Sequence, residues 1–151
     1  MEYDTRKEAR VWQRVQSERQ AAAPRQDSHL PALILEQMQL SAAYLQLARH
    51  YAGKDGAELM RLAREAKAQA VCLKGILTLI AGQSPETGGM PPQVSTMEAM
   101  LRRCYGKELR LAKEYENRCG DGEYGPVFQR MAQRGREHCC TVLELIGKRE
   151  K

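Results

Sequence analysis

The chain has 151 residues, a net charge of +5 and a composition that is 42% hydrophobic but only 5% aromatic. That length suits one compact domain, and the Ala-, Leu-, Gln-, Arg-, Lys- and Glu-rich palette favours helices over strands. No run of about 18 apolar residues offers a membrane span. Five cysteines, an odd number without CxxC spacing, argue against a disulfide framework and for reduced thiols in a cytoplasm.

Residues 1–27 read as an arm. The N-terminal "MEYDTRKEARVWQRV" is mixed in charge and lacks an apolar signal core. Val11, Trp12 and Val15 share one face of a short helix, so Trp12 is expected to dock the arm on the domain or on a second subunit.

Residues 28–151 read as four helices. The first is expected over Leu30 to Ala52, with Pro31 in its opening turn. The second covers Ala57 to Ala81, behind Asp55. The third covers Thr96 to Cys119, entered through the capping-box pattern Ser95-Thr96-Met97-Glu98. The fourth covers Pro126 to Ile146. Gly53, Gly82, Gly120 and Gly147 are read as stop signals, since glycine enters the left-handed cap without a Cβ penalty.

The links are unequal. "GKDG" and "GDGEYG" are short and predict antiparallel neighbours. "GQSPETGGMPPQVS", Gly82 to Ser95, can reach roughly 45–50 Å when extended. A helix of about 24 residues is roughly 36 Å long. The expected fold is all-α: two antiparallel helical hairpins joined by a long crossover. "QMQLSAAYLQLA" (37–48) matches "ELRLAKEYENRC" (108–119), and "LAREAKAQAVCL" (62–73) matches "MAQRGREHCCTV" (131–142), a weak internal duplication that makes Tyr44 and Tyr115 equivalent.

At the helical period each helix presents an apolar stripe with a break near its middle. Gln37 interrupts Leu33, Ile34, Leu40 and Tyr44. Ala66 and Gln69 lie between Leu59, Leu62, Leu73 and Ile76. Glu108 interrupts Met97, Leu101, Cys104, Leu111 and Tyr115. Gly135 and His138 lie between Met131, Val142 and Leu145. Polar groups placed there cost energy unless they find partners.

Residues 30–147 resemble the rubrerythrin-type branch of the ferritin-like superfamily. In that family the first helix of each hairpin carries a Glu seven residues before a Tyr, and the second carries Glu-x-x-His. The resemblance implies two irons held between the helices. This chain departs from the pattern. Gln37 stands seven residues before Tyr44, and Ala66-x-x-Gln69 replaces the first Glu-x-x-His. Glu108 matches, seven residues before Tyr115, and Gly135-x-x-His138 keeps only the His. On that resemblance, Glu108 and His138 are the two ligand positions that remain of a metal site.

Iron in such a centre needs several carboxylates to balance its charge. Gln37, Gln69, Glu108 and His138 are therefore expected to form a metal-free polar layer, in which Glu108 pairs with protonated His138. No cofactor is expected, and the role implied is structural or protein-binding, with a second copy of the chain as one partner. The alternative is a peroxide- or oxygen-metabolising oxidoreductase that uses iron or manganese through an altered ligand set. Glu36, Glu65 and Glu137 lie one residue from family positions; a one-residue step turns a helical side chain by about 100°, so they are expected on flanks or in solvent. Adjacent Cys139 and Cys140 cannot both face one ion for the same reason. His29 and His50 lie near the ends of the first helix, away from the layer. Arg103, Lys107 and Arg110 form a basic stripe, extended by Arg130, Arg134 and Lys148. No aromatic interleaving accompanies it, so a solvated helix face is expected rather than a nucleic-acid surface.

Overall fold

The computed structural model describes residues 29–82, 95–120 and 122–149. The arm with Trp12, and nearly all of the long link, lie outside the described residues. Everything regular among the described residues is helical. Helix α1 spans 29–48, α2 Gly53–Ala81, α3 Met97–Asn117 and α4 Gly125–Arg149, with a single 3₁₀ turn, Gly122–Tyr124, before α4.

The helix ends show which local signals act. Gly82 adopts φ 70° and donates its backbone N–H to Thr78 O, the left-handed cap expected of it. The other three glycines behave differently. Gly53 has φ 67° but opens α2, while α1 has already ended at 48, so the link is 49–52 rather than "GKDG". Arg118, not Gly120, caps α3. Gly147 lies inside α4, which runs on to Arg149. Thr96, not Ser95, is the N-cap of α3, and its hydroxyl accepts from Ala99 N at 3.2 Å. Glu98 consequently sits in the first turn, where it pairs with Arg102 one turn on (3.1 Å) instead of closing a capping box.

The stripes read from the sequence are the buried faces. Leu33, Ile34, Leu40, Tyr44, Leu59, Leu62, Leu73, Ile76, Leu101, Leu111, Tyr115, Met131, Val142 and Leu145 are all core residues, while Met97 is half-buried against them. Full burial of each large aliphatic side chain stabilises by about 1.5–3 kcal/mol. Tyr115 stacks on Phe128 with ring centroids 6.3 Å apart, and Arg118 lies 5.7 Å over the other ring.

Specific contacts link the helices in a closed ring. The Ser41 hydroxyl of α1 donates to Ala63 O of α2 (2.9 Å). Lys148 of α4 pairs with Asp55 of α2 (3.0 Å). Glu116 of α3 pairs with Arg136 of α4, and Glu36 of α1 with Arg110 of α3. Each helix therefore has two neighbours, in the order α1, α2, α4, α3, as a helical bundle requires.

Candidate functional site

The stripe interruptions meet inside this ring. Gln37, Gln69, Glu108 and His138 are buried, none more than 5% exposed. Such polar groups keep their place only by bonding to one another. Gln37 Nε2 donates to Gln69 Oε1 (2.6 Å) and to the Tyr115 hydroxyl (2.7 Å). The Tyr44 hydroxyl donates to Glu108 Oε1 (2.9 Å), and His138 Nδ1 lies 3.0 Å from that same oxygen.

The bonds have an internal symmetry. Gln37 lies seven residues before Tyr44 but bonds Tyr115; Glu108 lies seven before Tyr115 but bonds Tyr44. Each half of the duplicated sequence thus receives the tyrosine of the other. One half of the layer, Gln37–Gln69–Tyr115, is neutral. The other, Glu108–His138–Tyr44, is charged.

The charged half extends outward through a residue expected on a flank. Glu65 Oε2 lies 2.5 Å from His138 Nε2, and Glu65 Oε1 accepts from Arg61 (3.0 Å). Arg61 in turn pairs with Glu58 (2.8 Å). Glu65 is 24% exposed, so its backbone does sit at the edge as the helical phase requires, but its carboxylate reaches in. The other two near-misses lie where the helical phase puts them. Glu36 lies at the edge paired with Arg110, and Glu137 is exposed.

Both imidazole nitrogens of His138 thus face carboxyl oxygens, an arrangement that a ring protonated on both nitrogens satisfies with two donated hydrogen bonds. Burial alone would lower the His138 pKa, yet the hydrogen bond and charge of Glu108, then those of Glu65, raise it above its ordinary value. Burial likewise works to raise Glu65, but the bonds to His138 and Arg61 hold it below the usual carboxylate range. Burial and the Glu108 charge push Tyr44 well up, and burial raises Tyr115, so both hydroxyls keep their protons. From the surface to the core, acidic and basic side chains alternate: Glu58, Arg61, Glu65, His138 and Glu108.

Two buried polar atoms in the layer have no partner: Gln69 Nε2 and Glu108 Oε2. Glu108 Oε2 faces Gly135, where an added Cβ would stand 3.7 Å from that oxygen and 3.3 Å from Ala112 Cβ.

The donor set does not fit a dinuclear iron centre. Ala66 and Gly135 offer no ligand, Gln37 and Gln69 offer only neutral amides, and the carboxylates Glu65 and Glu108 are already matched to the imidazole between them. Among the described residues no group of three or more His, Cys, Asp or Glu has the arrangement of a metal site. All five cysteines are free thiols. Cys139 is buried and Cys140 exposed, as their adjacency dictates. Burial pushes the Cys104 thiol up to about 12 and Cys139 up to about 11, so both act as small hydrophobes. His29 and His50 are exposed and take no part in the layer.

The basic stripe on α3 is partly spent on neighbours: Lys107 donates to Gln39 Oε1, Arg103 to Ser95 Oγ (2.7 Å) and Arg110 to Glu36. Among the described residues no helix is long and apolar enough to cross a membrane. Comparison with models of known families, with curated proteins and with solved structures finds no match.

Proposed function

We propose that this chain is a ferritin-like bundle of the rubrerythrin type, two antiparallel hairpins joined by a long crossover, whose di-iron centre has given way to a protein-only polar layer. The pairings support the topology: as residue numbers rise from Gln37 to Ser41 in α1, their partners fall from Gln69 to Ala63 in α2. In α3 and α4, Glu108 faces His138 while Glu116 faces Arg136. The observation that carries the functional reading is the Glu65–His138–Glu108 cluster, in which the imidazole supplies the positive charge that a metal would supply in the family. The role that follows is structural or protein-binding, with a second copy of the chain as the first partner to test, in a cytoplasmic setting.

The same cluster favours one second reading. Glu65 returns a carboxylate to the centre of the bundle, and an iron- or manganese-dependent oxidoreductase of peroxide or oxygen chemistry would need a deprotonated His138 and a rearrangement of Glu65 and Glu108, which here lie against opposite ring nitrogens. Metal analysis of protein purified from iron- and manganese-supplemented cells separates the two. The first reading expects far less than one ion per chain after desalting; retention of one ion per chain supports the second, and two per chain sinks the first outright.

A further inference from the structure

The layer has an outer neighbour that its own chemistry does not explain. Between α2 and α4 lies a cleft of about 190 Å³, lined by Gln69, Cys72, Val127, Arg130, Met131 and Arg134, among others. At about 30 Å³ per liquid water, this is room for on the order of six waters, or a molecule of a few heavy atoms.

Three features give the cleft a chemical preference. Arg130 and Arg134 sit one turn apart on α4 with no carboxylate lining the cleft, and neither makes a hydrogen bond or ion pair among the described residues. Like charges at that spacing repel slightly, so nothing internal favours the pair. Gln69 forms part of the wall while being only 5% exposed, and its Nε2, itself closed to solvent, lacks an acceptor. Val127 and Met131 add an apolar surface beside these donors.

We propose that this cleft binds a small organic carboxylate, its oxygens held by Arg130 and Arg134 at the rim and its short apolar body on Val127 and Met131, with the Gln69 side chain as part of the wall. The planar guanidinium fork matches a carboxylate, and two such forks at one site give directional recognition. The apolar wall distinguishes this ligand from inorganic oxyanions. The exposed Cys72 thiol lies at the same cleft and serves as a reporter of occupancy.

Titration of the full chain with butyrate, at ionic strength held constant with chloride and followed by ¹⁵N–¹H correlation spectra, tests this. Saturable shifts are expected in the Gln69 side-chain amide and in residues around Arg130 and Arg134, with slower alkylation of Cys72 at saturation. In R130Q/R134Q, whose exposed sites should leave the far-UV circular dichroism unchanged, half-saturation should rise by about tenfold or more, a loss of roughly 1.4 kcal/mol. R130K/R134K keeps the charge without the fork and should also bind more weakly. Non-saturating shifts, equal shifts from chloride or from inorganic phosphate, or undiminished binding in R130Q/R134Q would each overturn the proposal.

Discussion

Tyr44 and His138 carry the energetic weight of the buried layer because each serves the same oxygen of Glu108. Replacing Tyr44 by Phe keeps the ring and removes a donor to a buried carboxylate. A hydrogen bond to a charged group contributes about 1.5–3 kcal/mol, so Y44F should lose about that much stability in urea unfolding. H138Q should lose more, about 3–5 kcal/mol, since it strands Glu108 as an uncompensated buried charge. The pH dependence follows from the directions of the shifts. His138 has a folded pKa above its ordinary 6.5, so its contribution is complete below 6.5 and fades as pH rises through the higher folded value. Glu65 has a folded pKa below its ordinary 4.5, so its contribution is complete above 4.5 and fades as pH falls through the lower folded value. Both act fully between 4.5 and 6.5. The urea midpoint should therefore decline on the alkaline side of this window in the wild type and stay flat there in H138Q. Gln37, Gln69, Glu108 and His138 are legible in the sequence because they break apolar stripes. The tyrosine hydroxyls are not: on a helix face Tyr44 and Tyr115 count as apolar, and only their equivalence in the duplicated halves points to a shared role. Glu65 is hidden for another reason. A 100° step fixes where its Cβ points, whereas a three-torsion side chain can bring its carboxylate back toward a partner.

The faces of the helices were easier to read than their ends. A stripe is set by many residues at a fixed period, so a single exception does not move it. A terminus rests on one or two residues whose backbone must also agree with packing. Gly147 illustrates this: α4 continues through it, and Lys148 then reaches Asp55 across the bundle. Gly56 shows a glycine chosen for space instead. An added Cβ would stand 2.4 Å from Tyr51 O, a backbone atom that cannot move aside cheaply. Although Ala is the better helix former by about 1 kcal/mol, G56A should therefore destabilise, by roughly 1–3 kcal/mol. At the start of α3, T96A removes the acceptor for Ala99 N and should cost about 1 kcal/mol. Thermal or urea unfolding of the two variants measures both.

For the whole molecule, the layer links all four helices at mid-height: Gln37 from α1, Gln69 and Glu65 from α2, Glu108 from α3 and His138 from α4. Such a network favours this arrangement of the helices, because any other would break the bonds among Gln37, Gln69, Tyr44, Tyr115, Glu108 and His138. The charge balance of the layer rests on the protonation of its central ring, His138. Nitrogen-15 spectra of the His138 imidazole at pH 6, below its ordinary 6.5 and recorded with and without excess manganese(II) or zinc(II), test it most directly. Protons on both Nδ1 and Nε2, unchanged by either metal, are the predicted result. A neutral ring with one bare nitrogen, or loss of a ring proton when metal is added, would contradict it.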